Sequence, residues 1–339
     1  MKNENTSSGE KTMQRDALRQ FFGSVSKPLL LFGPPSILVG MIIFFTTLNP
    51  RFATTQNLES LLRQAAVLSV VAVGGTFVIM IGSIDLSVEG IVSLSCIISV
   101  LTANYFSSSP MSGLLAVTLT IFIGTLFGLV NGALLSKAKL PSFLVTLGTM
   151  AVGNGAGLLI TGGYTVPCYV ASFRWFGVGD MLGIPSLGVF AIIMFALGIF
   201  LQTYTRFGRS AYAIGGGERV AVMSGVSVEK YKILVFVLAG ALSGFAGALV
   251  GARIGAASAV AGSGLVLDAI AAVVMGGTPL TGGVGGVHRT IIGVFCITVL
   301  SNGLNIIGVS PHMQVVVKGI VVILAVAASV DRSKLPFMK

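Results

Sequence analysis

Two carboxylates stand inside stretches that are otherwise apolar. Asp85 lies in residues 84–88, IDLSV, and Asp268 lies in an apolar run that ends at residues 276–278, GGT. A charge at bilayer depth costs at least ~2.5 kcal/mol on insertion scales, so a membrane protein keeps one where it faces a cavity, a partner or a substrate path. One such site in each half of the chain is typical of transporters built from two related halves.

Asp268 has two interpretations. It lies within one turn of the start of a predicted short helix, 266–276, where the helix dipole favours a carboxylate by ~0.3–1 kcal/mol, so it is a candidate structural cap. Alternatively, it gates or polarises a pathway beside the glycine-rich break at 276–283. Asp85 would then hold the matching place in the first half of the chain.

Polar side chains on the last two apolar segments form a second candidate set. Asn302 and Asn305 are three residues apart, and Gln314 and Lys318 are four apart, so each pair shares a helix face. Amides supply the fixed donors and acceptors that a hydroxyl-rich solute needs. The alternative is hydrogen bonding between helices, worth ~0.6 kcal/mol each in membranes, with Lys318 reaching toward the outer interface.

Composition identifies the elements that must position these residues. Of 339 residues, 54% are hydrophobic and 9% are charged, whereas soluble domains have about 25% charged residues. We predict an all-α polytopic membrane protein with about ten transmembrane segments, some of them short or broken, in two related halves. The apolar segments lie at about 28–48, 61–82, 88–106, 112–134, 143–161, 186–204, 233–252, 266–276, 290–307 and 312–330.

The segment 266–276 is too short to cross a membrane. Its eleven residues would reach only about 16 Å at 1.5 Å per residue, roughly half of the hydrocarbon core. A broken element of this kind is tolerated at depth only against protein or a water-filled cavity.

Basic residues predict the orientation. With the N-terminus inside, sixteen of the 21 Lys and Arg fall on the cytosolic side and four fall outside, which agrees with the positive-inside rule. Both termini are then cytosolic. We predict a cytosolic tail over 1–27, a transmembrane domain over 28–330 and a second cytosolic tail over 331–339.

The longest predicted cytosolic loop, 205–232, contains a segment that resembles a docking helix. Residues 218–224 lie between glycines and carry Val220, Val222 and Met223. A solvated loop, which is the alternative, has no need of these apolar residues, but a short helix that docks into another protein does.

Several functional classes lack their motifs in this sequence. There is no G-x-x-x-x-G-K-[ST] motif, and the glycine run at 282–286 lacks the G-x-G-x-x-G spacing, so we expect no ATP binding by this chain. His288 and His312 have no neighbouring ligand set, which argues against a metal site. No catalytic constellation is visible, so we expect no enzymatic activity from this chain alone.

A combination of motifs resembles the ribose-type permease subunits of bacterial ABC sugar importers, which include ribose, arabinose, xylose, allose, galactofuranose and autoinducer-2 permeases. The resemblance runs from about Phe32 to Val330, with departures at Glu89, Gly217 and Val266. The motifs are IDLSV at 84–88, TRFGR at 205–209, YAIGG at 212–216, SGVSV at 224–228, LDAIAAVV at 267–274, GGT at 276–278, NGLN at 302–305 and VVKG at 316–319.

This resemblance implies a multi-pass protein of the bacterial cytoplasmic (inner) membrane. Two permease subunits, identical or paralogous, would form the pore, and a periplasmic or lipid-anchored solute-binding protein would deliver a small sugar. A separate cytosolic ABC ATPase would use ATP and Mg²⁺, whereas this chain would bind no cofactor or metal. The loop 205–232 matches the family's coupling loop, whose predicted contact residues here are Glu218, Arg219, Val220, Val222, Met223, Ser224 and Gly225.

Two other hypotheses remain at this point. In an ion-gradient-driven secondary transporter, Asp85 and Asp268 would be cation or proton sites. The docking segment argues against this, because a self-sufficient carrier needs no contact with a motor. A membrane-embedded enzyme is the third hypothesis, and it lacks a catalytic set.

Overall fold

The computed structural model of the protein describes residues 33–181 and 183–329. The predicted tails, 1–27 and 331–339, lie outside these residues. The described residues are mostly helical, and every predicted apolar segment overlaps a helix. The helices are α1 (Gly33–Leu48), α2 (Thr55–Met80), α3 (Val88–Tyr105), α4 (Ser112–Ser136), α5 (Ser142–Thr161), α6 (Ala171–Val178), α7 (Ser186–Tyr204), α8 (Arg206–Gly216), α9 (Glu218–Met223), α10 (Val228–Ile254), α11 (Leu265–Met275), α12 (Val287–Ile306) and α13 (Pro311–Ser329).

Seven helices among the described residues are long and apolar enough to cross a membrane: α2, α3, α4, α5, α7, α10 and α12. Helices α1, α11 and the described part of α13 are apolar but shorter. Helix α11 has 11 residues, as its predicted segment required. The fold is therefore a polytopic helical bundle with at least one broken element.

The core of the bundle consists of α2, α3 and α10, which are mostly buried, whereas most residues of α4, α5 and α7 lie outside the buried core. The exposed surface of these outer helices is itself apolar, as at Phe122, Leu159 and Ile192. A helix that is hydrophobic on all sides is typical of a protein core or a membrane span. The outer helices therefore have the surface that lipid requires.

Glycines bring α4 and α10 together backbone to backbone. A Cβ added at Gly124 would overlap the carbonyl oxygen of Gly240, and one added at Gly128 would overlap that of Phe236. A Cβ at Gly244 would overlap the carbonyl oxygen of Thr120 in the same way. Small residues that allow such close approach are the usual packing device where lipid leaves no hydrophobic driving force between helices. We call this contact the glycine seam.

Two non-helical connections, each a break between helices, contact one another in the structure. Residues 81–87 connect α2 to α3, and residues 276–286 connect α11 to α12. The Gly283 backbone N–H donates to the Met80 carbonyl oxygen at 2.9 Å. Gly282 and Gly283 both have a φ of +78°, a conformation that glycine adopts without steric cost.

The connection between α5 and α7, residues 162–185, contains short elements. Strand β1 (Val166–Pro167) pairs antiparallel with β4 (Ala256–Ala257), which follows α10, and β2 (Asp180–Met181) pairs antiparallel with β3 (Ile184–Pro185). Helix α6 lies between β1 and β2. The pairing of β1 with β4 ties this segment to the chain that leads into α11.

Candidate functional site

A cavity of about 390 Å³ lies between α2, α10, α11, α12 and α13. Helix α11 and the segment that precedes it line the cavity together with α12 and α13. Its polar lining residues are Gln64, Arg253, Ser263, Asp268, Thr298, Ser301, Asn305, Gln314 and Lys318. These nine polar side chains thus meet in one cavity among apolar helices.

An ion pair crosses the cavity. The Lys318 Nζ donates to the Asp268 Oδ2 at 2.9 Å, and the two side chains retain only 20% and 17% of their exposure. Asp268 lies in the first turn of α11, as predicted, but no side-chain hydrogen bond caps this helix, whose N-cap position is occupied by Gly264. The structure thus gives the Asp268 carboxylate an ion-pair partner and directs Lys318 inward.

The predicted amide residues are divided between the cavity and the protein interior. Asn305 is exposed and lines the cavity together with Gln314, whose Nε2 donates to the Val309 carbonyl oxygen at 2.9 Å. Asn302 is buried and is not among the lining residues, and its Oδ1 has no hydrogen-bond partner within the described part of the chain. Four predicted pathway residues, Asp268, Asn305, Gln314 and Lys318, therefore share one cavity.

Asp85 lies apart from this group. Its carboxylate accepts hydrogen bonds from the backbone N–H and the hydroxyl of Ser87. The Ser87 Oγ accepts from the Asn131 Nδ2 at 2.9 Å, and the Thr149 hydroxyl donates to the Asn131 Oδ1 at 2.9 Å. This buried network links the break before α3 to α4 and α5.

A separate cavity of about 20 Å³ lies between α2, the start of α3 and α11, and Asp85 and Val266 line it. It is far too small for a solute and is close to the minimum volume for one water molecule. Asp85 therefore sits beside α11, but the 390 Å³ cavity is lined by other residues.

Sequence reasoning missed several polar residues of the larger cavity, among them Gln64 and Arg253. It counted Arg253 only as an outer basic residue. The structure places Arg253 in the last turn of α10, where its Nη1 donates to the Arg63 carbonyl oxygen at 3.4 Å. Polar residues within otherwise apolar helices are the signal that would have identified both.

One of the departures from the family motifs contacts the start of α11. The Glu89 Oε2 accepts a hydrogen bond from the Gly264 N–H at 3.3 Å. Because Gly264 occupies the N-cap position of α11, Glu89 helps to satisfy an N–H group that the helix itself leaves free. This contact fixes the helix end that carries Asp268.

The predicted docking segment forms α9, a helix of 6 residues. Val220, Val222 and Met223 are 67%, 57% and 87% exposed, whereas Ala221 is buried. Glu218 pairs with Lys232 of α10 at 2.7 Å, which holds α9 against the bundle. Helix α9 thus presents an apolar face that the described residues leave uncovered.

The remaining predicted contact residues surround this face. Arg219 lies on α9 beside Val220 and is exposed. The Ser224 N–H donates to the Val220 carbonyl oxygen at 3.0 Å, and Gly225 follows with a φ of +80°. The helix therefore ends where the glycine motif predicted, and Ser224 and Gly225 form its exposed end.

Comparison with known proteins identifies the family. Residues 57–326 match the family described as branched-chain amino acid transport system / permease component. The chain belongs to this permease family. No solved structure showed significant similarity to it.

Three curated relatives of this permease cover most of both chains. A ribose import permease protein of Bacillus subtilis is 41% identical, over 95% of this chain and 98% of its own length. A probable ABC transporter permease protein of Escherichia coli is 35% identical over 93% and 92%. A xylose transport system permease protein of E. coli is 31% identical over 90% and 93%.

Family membership explains the distribution of charge in the structure. A permease of this family is a multi-pass protein of the cytoplasmic membrane, so the apolar faces of α4, α5 and α7 are suited to lipid. The Asp268–Lys318 pair lies among apolar helices, where ionisable groups face the bundle interior or a water-filled cavity. Asp268 and Lys318 meet this requirement, because both line the 390 Å³ cavity.

Proposed function

We propose that this permease is the membrane subunit of an ATP-driven importer of a monosaccharide or a similar small polyhydroxylated solute. The observation that carries the proposal is the polar cavity crossed by the Asp268–Lys318 pair, inside a chain of the permease family. The proposed arrangement has ten crossings in two related halves, with both termini in the cytosol. In this orientation the cavity lies in the extracytoplasmic half of the membrane, because Gln64 lies in the first half of α2 and Asn305 near the end of α12.

The volume and lining of the cavity support a sugar as the solute. Small-molecule sites commonly have volumes of about 300–1,000 Å³ and a few fixed polar groups, and this cavity has about 390 Å³. Asn305 and Gln314 supply amides, while Asp268 supplies a carboxylate that accepts hydrogen bonds from hydroxyls. The curated relatives named for ribose and xylose are consistent with this class.

Asn302 and Asp85 complete the proposed pathway from outside the cavity. Asn302 lies one helical turn before Asn305 on α12, and its buried Oδ1 retains an acceptor for a neighbouring group or water. Asp85 lies beside α11 at the break between α2 and α3. Their proposed part is to shape the path around α11, since neither lines the larger cavity.

The proposed partners follow from the permease family and, for the ATPase, from the exposed face of α9. A second permease subunit, identical or paralogous, would complete the pore, and a solute-binding protein would deliver the sugar from outside. A cytosolic ATPase that uses ATP and Mg²⁺ would cover α9. The exposed apolar face of α9 favours this partner over the ion-gradient-driven carrier, whose supporting features are the Asp268–Lys318 pair and the buried Asp85.

The docking contact provides the test. Val222→Asp combined with Met223→Asp would place two carboxylates on the face of α9. Full burial of a Val or Met side chain is worth about 1.5–3 kcal/mol, so their exposed fractions, 57% and 87%, correspond to about 3 kcal/mol of docking energy. We expect the affinity of the permease for the ATPase to fall at least about a hundredfold, since each 1.4 kcal/mol is tenfold. The ATPase should then no longer co-purify.

Leu140→Asp is the matched control. Leu140 is 41% exposed in the connection between α4 and α5, which the proposed orientation places on the cytosolic side, and the same chemical change there should leave co-purification intact. The isolated wild-type chain should hydrolyse no ATP. Solute uptake driven by a proton or sodium gradient in vesicles that contain this chain alone would overturn the proposal in favour of the carrier.

A further inference from the structure

A hydrogen-bonded joint connects the cytosolic helix α8 to the break between α11 and α12. The Tyr212 hydroxyl of α8 donates to the Gly285 carbonyl oxygen at 2.7 Å. It accepts from the Gln202 Nε2 at 2.9 Å. The Gln202 Oε1 in turn accepts from the backbone N–H of Val287, the first residue of α12. The side chains of Tyr212 and Gln202 thus bond to the two ends of the backbone stretch 285–287.

The same joint contains a contact between backbones. A Cβ added at Gly215, in the last turn of α8, would overlap the Met80 carbonyl oxygen and the Gly283 nitrogen. Gly283 itself donates to the Met80 carbonyl oxygen. The end of α2, the end of α8 and the glycine-rich break therefore meet with no side chain between them.

The surroundings of the joint keep its geometry fixed. The Gly286 N–H donates to the Thr278 Oγ1 at 2.9 Å, so the break is also closed on itself. Gln202 is buried. Burial raises the pKa of Tyr212, with Arg289 opposing the effect, so this hydroxyl remains a donor across the physiological pH range.

The joint lies between two features of the proposed function. On one side, α8 runs into α9 through Gly217, whose N–H donates to the carbonyl oxygens of Ala213 and Ile214. On the other side, the break at 276–286 is the continuation of α11, and Asp268 lies in the first turn of that helix. A displacement of α9 therefore has a short, hydrogen-bonded route to the ion-pair cavity.

We propose that Tyr212 and Gln202 are positioning residues that transmit movement of α9 to α11, through the joint that they form with residues 276–287. The proposal rests on the proposed function, because it requires an ATPase on α9. It adds a defined route from that contact to the cavity. Two discrete elements, α8 and the glycine-rich break, would move together because they share these bonds.

The test uses a cysteine reporter beside the cavity in the assembled complex. Ser263 is exposed, lines the cavity and lies two residues before α11, whereas Cys96, Cys168 and Cys296 are buried. In the Ser263→Cys permease bound to its ATPase, the labelling rate with a water-soluble maleimide is measured before and after trapping with ATP and vanadate. We expect trapping to change this rate.

Tyr212→Phe removes one hydroxyl and keeps the ring. The lost bond is worth about a fivefold shift in an equilibrium between two states, so we expect the trapping-induced change at position 263 to fall about fivefold. Co-purification and basal ATP hydrolysis should remain. Tyr204→Phe is the control, because Tyr204 is 72% exposed on α7 and should behave as wild type.

A second pair of variants tests the backbone contact. Gly215→Ala would force the joint apart, whereas a Cβ at Gly216 meets nothing within 4 Å. We expect Gly215→Ala to abolish the trapping-induced change in labelling at position 263 and Gly216→Ala to leave that change as in the wild type. If the labelling rate at position 263 still changes fully on trapping in Tyr212→Phe, the proposed route through Tyr212 is wrong. Failure of the wild-type chain to bind any ATPase would overturn the proposed function instead.

Discussion

The Asp268–Lys318 pair allows a quantitative prediction, because both partners can be neutralised separately and together. The variants are Asp268→Asn, Lys318→Met and the double variant. The charged atoms are 2.9 Å apart, so at an effective dielectric constant of about 20 their attraction is roughly 6 kcal/mol before desolvation is subtracted. The net value of the pair is therefore much smaller than this attraction.

Removing one partner leaves the other without compensation. For fully buried pairs this costs about 3–5 kcal/mol, and both side chains here keep about a fifth of their exposure. We therefore expect each single variant to destabilise the permease by about 3 kcal/mol, near the lower end of that range. The double variant should recover most of this loss, because no unpaired charge remains.

The assay is thermal or denaturant unfolding of the purified permease, with solute uptake measured in parallel. Lys232→Met is the control. Lys232 keeps only 16% of its side-chain exposure, but its partner Glu218 is 55% exposed and stays solvated when the lysine is removed, so the loss should be nearer that of exposed pairs, about 0–1 kcal/mol. Additive losses in the double variant would refute the energetic argument.

Transport separates the structural and functional parts of Asp268. Asn is nearly isosteric with Asp, so the assembled complex should persist in Asp268→Asn. We expect sugar-stimulated ATP hydrolysis to fall at least about tenfold, which corresponds to 1.4 kcal/mol of coupling. Wild-type transport by this variant would remove the charge of Asp268 from the mechanism.

Two further predictions concern α12 and the glycine seam. Asn305→Leu should reduce uptake while expression and ATPase binding stay normal, and loss of folded protein would instead indicate a structural amide. Gly128→Ala should cost about 1–3 kcal/mol through overpacking, measured by unfolding, whereas Gly148→Ala, whose Cβ would meet nothing within 4 Å, should cost far less; equal effects would contradict the seam.

The sequence predicted those elements whose physics is local. The shortness of α11 and its glycine-rich end follow from 266–283 alone, and α9 follows from apolar residues between glycines. The hydrogen bonds between Asp85 and Ser87 were not predicted, although they too are local, because short polar side chains often bond two residues away. Each of these features could be recognised in a window of a few residues.

The features that the sequence did not reveal depend on the packing of distant segments. Asp268 and Lys318 were identified singly, but nothing in their 50-residue separation indicated that they pair. Gln202 and Tyr212 were not candidates, because each is an ordinary polar residue of its helix until α12 is packed beside them. For the same reason, Arg253 was counted only as one of the four basic residues on the outer side of the membrane.

The glycine seam restricts the ways in which this permease can evolve. A side chain added at Gly124 or Gly128 meets a carbonyl oxygen, and no substitution elsewhere can shorten a backbone. A suppressor of such a mutation must therefore move a whole helix, because trimming a neighbouring residue creates no space. Every replacement of glycine is larger, so any substitution at these positions of α4 and α10 pushes the two helices apart.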